Sequence, residues 1–402
     1  MSDQTAVIEN DVGVILADDL TGACDSAVRI LGAGRRVAVS LDHHLDSFNG
    51  YNYMAVNTNT RSSDEALSKA RIISAVNNVR SLNGTVRYKK IDSMLRGNIT
   101  AELEALFETL PIDAVLIAPG YPENDRIVEN GVLYAGNTQD AIALVLQLPR
   151  PCGILSAKLL EQGAEYTAAQ IEKLYREGVR YFIGDSVNSS DLEVLAEALR
   201  KTTLNILPAG SGGLVRYIFN EKTTGTETPA MPVGDDPRIL YVIGSGNPVT
   251  VRQVKEYLEH TGAHTEAVDT VYPAEPDPKF PLLVSTRQVL EGKPVCKKTV
   301  GNNISNHAIE SGLSEIAGRY YHKGVRKMFL TGGDTAYEVL KTIGFSEIEI
   351  LGESEPGVVI AIARGKDLDD LCIVTKSGGF GSPEALIRVE KLLNGSEGEP
   401  HV

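Results

Sequence analysis

The chain has 402 residues, 42% of them hydrophobic and 23% charged, which is enough apolar material for two ordinary domains and excludes a disordered protein. Its net charge of −14 argues against a nucleic-acid partner, because a phosphate backbone favours a basic surface. No apolar run approaches the ~20 residues of a membrane span, and the N-terminal segment lacks the features of a signal peptide, so we expect a cytoplasmic protein with no membrane partner.

The spacing of the cysteines and the positions of the cations indicate which kinds of binding site the chain can form. The four cysteines are far apart and form no CxxC pair, which favours reduced thiols over a zinc site or a disulfide framework. In so acidic a chain, an anionic ligand would need local positive charge from clustered cations. The candidate cations are Arg61, Lys89, Lys90, Arg96 and Lys376.

Strand-like apolar runs alternate with helical patterns along the whole chain, which predicts an α/β fold with mainly parallel sheets. The strands predicted in the first half are VGVILA (12–17), RVAVSL (36–41), NYMAVN (52–57), VRYKKI (86–91), AVLIAP (114–119), GILS (153–156) and RYFIGD (180–185). A helical pattern over residues 24–34 follows the first of them, so the intervening residues form a strand-to-helix turn.

A segment rich in Thr, Pro, Gly and charge separates the two halves. It has no periodicity and lies between residues 219 and 237, which predicts a linker. We therefore expect a first domain over residues 1–225, a linker over 226–236 and a second domain over 237–395. Further strands are predicted in RILYVIGSG (238–246), KMFLTGGDTAYEVL (327–340), VVIAIARG (358–365) and LCIVTKSGGFG (371–381).

Two adjacent acids, Asp18 and Asp19, follow the first predicted strand in the stretch LADDLTG. A nucleotide-binding fold would place a glycine-rich phosphate turn at this position. Carboxylates beside a helix N-terminus are stabilised in their ionised form and would repel a phosphate, so this turn is expected to bind hydroxyl protons or a metal. The alternative is that the two acids only cap the helix or the turn.

Three more polar motifs follow predicted strands in the first half, namely NTNTRS (57–62), YKKIDSMLRGN (88–98) and APGYPENDRIVENGVLY (118–134). Parallel strand order would bring them to one edge of a sheet. Asp and Asn accept hydrogen bonds from hydroxyls, whereas Arg and Lys bind anions, so together they suit a small polyhydroxy acid.

Each of these residues also has an ordinary structural explanation. Arg61 could be a surface charge. Neighbouring residues of a strand point to opposite faces, so Lys89 and Lys90 cannot both point inward, and at least one should face outward or a structural partner. Asp92 and Arg96, four residues apart, could form a helix-surface ion pair.

In the second half an apolar strand ends three times in a glycine-containing turn: VIGSGNP (242–248), FLTGGDTA (329–336) and VTKSGGFG (374–381). Glycine lets backbone N–H groups approach a ligand, and a helix N-terminus favours an anion. The three turns should converge at the carboxyl edge of one sheet and bind a phosphate or nucleotide. The spacings match neither GxxxxGK[ST] nor GxGxxG, which disfavours a phosphate-loop NTPase and a dinucleotide enzyme.

Taken together, these motifs resemble the four-carbon acid sugar kinase family. The resemblance rests on ADDLTGACD, NTNTR, KKIDSMLRGN, APGYPEND with NGVLY, GSGNPVT, TGGDTA and KSGGFG, in this order from residue 17 to residue 381. It implies two α/β domains, a sugar-acid-binding one and an ATP-binding one, with the active site in the cleft between them. The implied reaction phosphorylates the terminal hydroxyl of a tetronate such as threonate, erythronate or the 3-oxo acid.

The resemblance also implies roles for residues at the matching positions. Asp18 or, preferably, Asp19 would orient or deprotonate the acceptor hydroxyl, Arg61 and Lys90 would hold the substrate carboxylate, and the other substrate-binding residues are Asp92, Ser93 and Arg96. The residues expected to face ATP are Ser245, Gly332, Gly333, Asp334, Thr335, Gly378 and Gly379. Mg²⁺ should accompany ATP, with Asp334 as its ligand, direct or through water.

The chain departs from the family pattern at Cys24, at Met94 and in residues 356–359, and two rival functions are possible. Residues 356–359 read PGVV where related chains carry Pro-Gly-Val-Pro, which bears on the nucleotide side. The rivals are an NAD-dependent hydroxy-acid oxidoreductase and a non-catalytic sugar-acid sensor derived from a kinase. The sequence does not select the tetronate, and a homodimer is only a working expectation.

Overall fold

The computed structural model describes residues 12–32, 35–136, 141–144, 148, 151–219, 236–268, 280–293 and 306–395. Of the predicted linker only Asp236 falls within them, and Cys296 lies outside them. The strands are β1 (Val12–Ala17), β2 (Val37–Ser40), β3 (Tyr53–Asn57), β4 (Gly84–Lys90), β5 (Ala114–Ala118), β6 (Arg126–Glu129), β7 (Val132–Ala135), β8 (Ile142–Ala143), β9 (Cys152–Leu155), β10 (Tyr181–Gly184), β11 (Ile206–Gly210), β12 (Leu240–Ile243), β13 (His264–Ala267), β14 (Leu282–Ser285), β15 (Lys327–Thr331), β16 (Glu347–Glu355), β17 (Val358–Arg364) and β18 (Leu371–Lys376).

Helices connect most of these strands. They are α1 (Leu20–Ile30), α2 (Glu65–Ser81), α3 (Ile99–Thr109), α4 (Ala157–Leu160), α5 (Ala164–Arg176), α6 (Ser189–Lys201), α7 (Gly212–Ile218), α8 (Pro248–Thr261), α9 (Arg287–Leu290), α10 (Asn306–His322), α11 (Gly333–Ile343) and α12 (Ala385–Leu393). No helix in these ranges is long and apolar enough to cross a membrane. The alternation of strands and helices confirms the predicted α/β fold class.

The chain divides into two compact units, one of residues 1–30 and 42–223 and one of residues 31–41 and 224–402. The short segment 31–41 therefore groups with the second unit, and not with the first domain predicted over residues 1–225. Within it, β2 pairs antiparallel with β16, and Ser40 lies opposite Glu347.

In the first unit, the described strands of the main sheet are all parallel and lie in the order β3-β1-β4-β11-β5-β10-β9. The central strands are deeply buried, and the five residues of β5 and the four of β10 are all in the core. Burial on both faces is expected of a parallel sheet covered by helices on both sides. The carboxyl ends of these strands consequently lie along one edge.

The second unit has a mixed sheet. The described strands β13, β14, β12, β15 and β18 are parallel neighbours in this order, and β17, β16 and β2 continue the sheet in antiparallel fashion. Tyr241, Tyr257 and Phe329 pack together in its core, with ring centroids 4.8 and 5.6 Å from that of Tyr241. The parallel part places the ends of β12, β15 and β18 side by side.

Candidate active site

The first cluster of polar residues lies at the carboxyl edge of the first unit. The register pairs Ala17 of β1 with Asn57 of β3 and with Lys90 of β4, so the residues that follow these three strands come together. Asp18 and Asp19 follow Ala17 and are 2% and 6% exposed. Two carboxylates this deeply buried need positive partners to remain ionised.

Arg61 is the main partner of these acids. Its Nε donates to Oδ2 of Asp18 at 2.8 Å, its Nη2 donates to Oδ1 of Asp18 at 2.9 Å, and its Nη1 pairs with Asp19. Nη2 also lies 3.5 Å from Oδ1 of Asp92. Burial alone would raise the pKa of Asp18, but Arg61 and the nearby lysines outweigh it and lower that pKa. Arg61 is therefore not a surface charge, and its guanidinium group is already bound to carboxylates of the protein.

Asp19 is held by the first turn of α1. Its Oδ2 accepts a hydrogen bond from Oγ1 of Thr21 at 2.8 Å, and its Oδ1 accepts one from the backbone N–H of Gly22 at 2.8 Å. A Cβ on Gly22 would lie 2.6 Å from Oδ1 of Asp19 and 2.9 Å from Nζ of Lys90. The absent side chain of Gly22 therefore leaves room for an ammonium group beside the carboxylate.

The two neighbouring lysines of β4 are both buried, yet they do different things. Nζ of Lys89 lies 2.6 Å from a carboxylate oxygen of Glu102 in α3, and both side chains are almost fully buried. Nζ of Lys90 instead points to the edge, where it donates to the carbonyl of Ile91 at 2.9 Å. The alternation of side chains along a strand predicted that at least one of the two lysines faces outward or a structural partner, and Lys89 has such a partner in Glu102. Lys90 remains at the candidate site.

Asp92 and Arg96 do form an ion pair, but the explanation as a helix-surface pair is wrong. They lie in the turn between β4 and α3, and Asp92 is 4% exposed. Nε and Nη2 of Arg96 donate to the two carboxylate oxygens of Asp92 at 2.7 and 2.8 Å. Burial tends to raise the pKa of Asp92, whereas Arg96, Arg61 and Lys90 lower it far below its ordinary value. Ser93 lies half-buried in the same turn.

A further cation at this edge, Arg126, is not among the site residues predicted from the sequence. It is the first residue of β6 and is fixed by mutual backbone hydrogen bonds with Tyr121, of 2.6 and 3.2 Å. Burial lowers the pKa of its half-buried guanidinium, with Asp92 raising that pKa and Arg96 lowering it further. Its signal was present in APGYPENDR, where an arginine follows a strand end by a few residues.

The three glycine turns of the second unit meet as predicted. The N–H of Gly244 donates to the carbonyl of Thr331 at 3.0 Å, and the N–H of Gly332 donates to the carbonyl of Lys376 at 3.2 Å. These two bonds join the ends of β12, β15 and β18.

The side chains of these turns are packed tightly against glycines. A Cβ on Gly378 would come within 2.1 Å of Oγ of Ser245, and a Cβ on Gly244 would come within 1.8 Å of Oγ1 of Thr335. Gly379 is exposed beside this contact. The turns thus form one surface of backbone and small polar groups, which is a suitable surface for phosphate.

Helix α11 begins at this surface. Gly332 has a φ of 100°, a conformation that favours glycine, and Gly333 and Asp334 form the first turn of the helix. The described residues contain no group of three or more His, Cys, Asp or Glu side chains suited to a metal. Mg²⁺ bound with phosphates commonly takes only one or two carboxylates and otherwise phosphate oxygens and water, so a single half-buried Asp334 fits that pattern.

The PGVV departure lies next to the same surface. Pro356 and Gly357 form the turn between β16 and β17, and Gly357 has a φ of 78°. A Cβ on Gly357 would lie 2.4 Å from the ring of Phe380, which belongs to the third glycine turn. The PGVV segment therefore packs against Phe380, which lies next to Gly378 and Gly379, two of the residues predicted to face the nucleotide.

Two family models match the chain. One, described as a sugar-binding N-terminal domain, matches residues 13–143 and 141–218, and the other, a nucleotide-binding C-terminal domain, matches residues 240–386. Apart from residues 31–41, which the first model matches but which group with the second unit, each match falls within one unit and covers one of the two clusters described above.

Similar proteins of assigned function include a D-threonate kinase of Bordetella bronchiseptica, 27% identical over 94% of this chain and 96% of that protein. They also include 3-oxo-tetronate kinases of Cupriavidus necator, 25% identical over 94% and 96%, and of Methylobacterium radiotolerans, 27% identical over 94% and 98%. Among solved structures, a Salmonella typhimurium protein covers 94% of this chain and 99% of its own, with a TM-score of 0.77 at 24% identity. A Haemophilus influenzae protein covers 95% and 100%, with a TM-score of 0.70 at 24% identity. These structures share the fold.

Proposed function

This chain belongs to the four-carbon acid sugar kinase family, and from that premise we propose that it transfers the γ-phosphoryl group of ATP to the terminal hydroxyl of a four-carbon sugar acid. The substrate class is a tetronate: threonate, erythronate or a 3-oxo-tetronate. Such a transfer depends mostly on positioning and on neutralising charge in the transferred group.

The observation that carries the proposal is the placement of Asp19. Its carboxylate is fixed by Thr21, Gly22 and Arg61 at the carboxyl edge of a parallel sheet, where α/β folds bind their ligands. A carboxylate held in this way can orient an acceptor hydroxyl and take its proton. Asp18 is less suited to that role, because Arg61 and the nearby lysines lower its pKa, which makes its carboxylate a weak proton acceptor.

We assign the substrate carboxylate to cations other than Arg61. All three guanidinium nitrogens of Arg61 already face carboxylates of the protein, so its task is to keep the acids ionised and in place. Lys90, Arg96 and Arg126 surround the same acids and present positive charge at the edge. Asp92 and Ser93 would then contact the hydroxyls of the acid.

The second unit would hold ATP. Gly332, Gly333 and Thr335 at the start of α11 would face the phosphates, and Ser245, Gly378 and Gly379 would form the adjoining wall. Asp334 would hold Mg²⁺, which neutralises phosphate charge when bound. In-line transfer then requires the acceptor oxygen to come within about 3.5 Å of the γ-phosphorus.

The test is a coupled assay of ADP release with ATP, Mg²⁺ and a panel of D- and L-threonate, D- and L-erythronate and 3-oxo-tetronates. We expect turnover with one or more of these acids, and the Asp19→Asn variant should lower kcat by a factor of ~10² or more with little change in ATP affinity. Measurable acid binding without turnover on any acid would support the sensor, and binding of NAD in preference to ATP would support the oxidoreductase. Undiminished kcat in Asp19→Asn would reject the role of Asp19.

A further inference from the structure

A buried lysine lies behind the third glycine turn of the second unit. Lys376, the last residue of β18, is fully buried. Its Nζ lies 3.1 Å from Oγ1 of Thr250 and 3.1, 3.4 and 3.2 Å from the carbonyl oxygens of Ser377, Gly378 and Phe380. Four oxygens around one positive centre resemble the coordination of a small cation more than the single bond of an ordinary buried lysine.

The direction of these carbonyls determines where the amides of the turn point. In a trans peptide the C=O of one residue and the N–H of the next point in opposite directions. Because the carbonyls of Ser377, Gly378 and Phe380 point toward the ammonium, the N–H groups of Gly378, Gly379 and Gly381 point away from it. Within the described ranges, none of these three N–H groups donates to a protein acceptor.

We propose that the Lys376 ammonium is a tethered monovalent cation that shapes residues 377–381 into a nest of outward N–H groups for phosphate. Successive amides directed at one point form an anion-binding concavity. The ammonium both orients the peptide groups and adds positive charge behind them. This inference rests on the proposed binding of ATP by the second unit.

A second buried lysine of the same sheet provides a matched control. Lys327 is 3% exposed and lies at the amino end of β15, where its Nζ donates to the carbonyl of Leu393 at 2.9 Å. Removing either side chain should destabilise the unit, because buried oxygens lose their hydrogen-bond donor. Only removal of Lys376 should change the nucleotide site.

The experiment is calorimetric titration of the full chain with ADP in MgCl₂. Lys376→Ala should weaken ADP binding about tenfold or more, the loss expected for hydrogen bonds from a charged donor. Methylammonium should restore part of that affinity, whereas tetramethylammonium, which cannot donate a hydrogen bond, should not restore it at equal ionic strength. Lys327→Ala should keep the wild-type affinity for ADP.

The outcomes separate this inference from the proposed function. Wild-type protein that does not bind ADP overturns both. If wild-type protein binds ADP, unchanged affinity in Lys376→Ala, or a loss that methylammonium does not relieve, overturns the inference alone. Should Lys376→Ala fail to fold, hydrogen exchange of the wild-type chain decides: ADP must protect the amides of Gly378, Gly379 and Gly381, and unprotected amides reject the nest.

Discussion

Arg61 forms a bidentate ion pair with Asp18, in which Nε donates to Oδ2 at 2.8 Å and Nη2 donates to Oδ1 at 2.9 Å. A two-point pair of this kind fixes both partners in one plane. The family resemblance implies that Arg61 holds the substrate carboxylate, whereas in the structure its guanidinium pairs with carboxylates of the protein.

This pair predicts a specific loss of stability at acid pH. The pKa of Asp18 is lowered and that of Asp92 is lowered far below its ordinary 3.8, so these groups stabilise the folded state above about pH 4. The contribution disappears as the pH falls from 3.8 toward the folded pKa. Arg61→Met should therefore cost about 3 kcal/mol at neutral pH, the usual cost of breaking a buried pair, and less at pH 3.

Thermal unfolding of the wild-type and variant chains at pH 7 and pH 3 measures this difference. Arg200→Met is the control, because Arg200 and Glu197 are both 45% exposed and a surface pair contributes little at either pH. A gap between Arg61→Met and wild type that is as large at pH 3 as at pH 7 would contradict the assignment.

Substitution by Met should mainly lower stability at Lys89 and mainly raise the KM for the sugar acid at Lys90. Lys89→Met removes the partner of buried Glu102 and should lower stability by about 3 kcal/mol, with an unchanged KM for the sugar acid. Lys90→Met should raise that KM about tenfold, as expected for a lost charged hydrogen bond, with a smaller effect on stability. Steady-state kinetics and thermal unfolding of both variants check this. Equal KM values in the two variants would remove Lys90 from the site.

Much of the fold followed from local pattern, and the misses have identifiable causes. The prediction VGVILA coincides with β1, because a fully buried parallel strand is a continuous apolar run. β11 was missed although it lies between β4 and β5, since Pro208 interrupts a short run and proline ordinarily argues against a central strand. The β6–β7 hairpin was missed although its turn, Asn130–Gly131 with φ of 51° and 73°, carries a strong hairpin signal.

The site was predictable only in part for a different reason. Residue type and position after a strand identify which groups reach the edge, as for Asp18, Asp92 and Lys90. They do not identify which charge faces which, because the partners Arg61 and Asp18 are 43 residues apart in sequence. The structural role of Lys89 likewise depends on Glu102, which lies in the following helix.

The start of α11 gives a prediction for the nucleotide site. Gly333→Val places a branched side chain at the first residue of the helix, where N–H groups would face phosphate, so ADP affinity should fall about tenfold or more. Gly344 at the other end of the same helix has a φ of 104°, and Gly344→Ala should cost about 1 kcal/mol of stability with no change in ADP affinity. Titration of both variants with ADP compares the two ends. Retained affinity in Gly333→Val would place the nucleotide elsewhere.

The buried Lys376 makes both stability and ADP affinity depend on pH. Burial lowers its pKa to about 7, against a smaller opposite effect of Glu355, the charged group that faces it from β16. The unfolded chain holds this proton up to its ordinary pKa of 10.5, so between pH 7 and 10.5 the unfolded state binds more protons than the folded state. The contribution of Lys376 to the free energy of unfolding must therefore rise with pH in this range, by at most about 1.4 kcal/mol per pH unit.

Lys376→Met lacks this group, so the thermal midpoint of the wild type relative to that of the variant should increase from pH 7 to pH 9. ADP affinity should change in the opposite direction. Binding needs the charged ammonium behind the turn, and above pH 7 it must take up a proton, so the wild-type affinity for ADP should fall as the pH rises while that of Lys376→Met depends less on pH. A midpoint difference that stays constant over this range would show that the ammonium remains protonated in the folded chain, and the proton uptake on binding would then be absent as well.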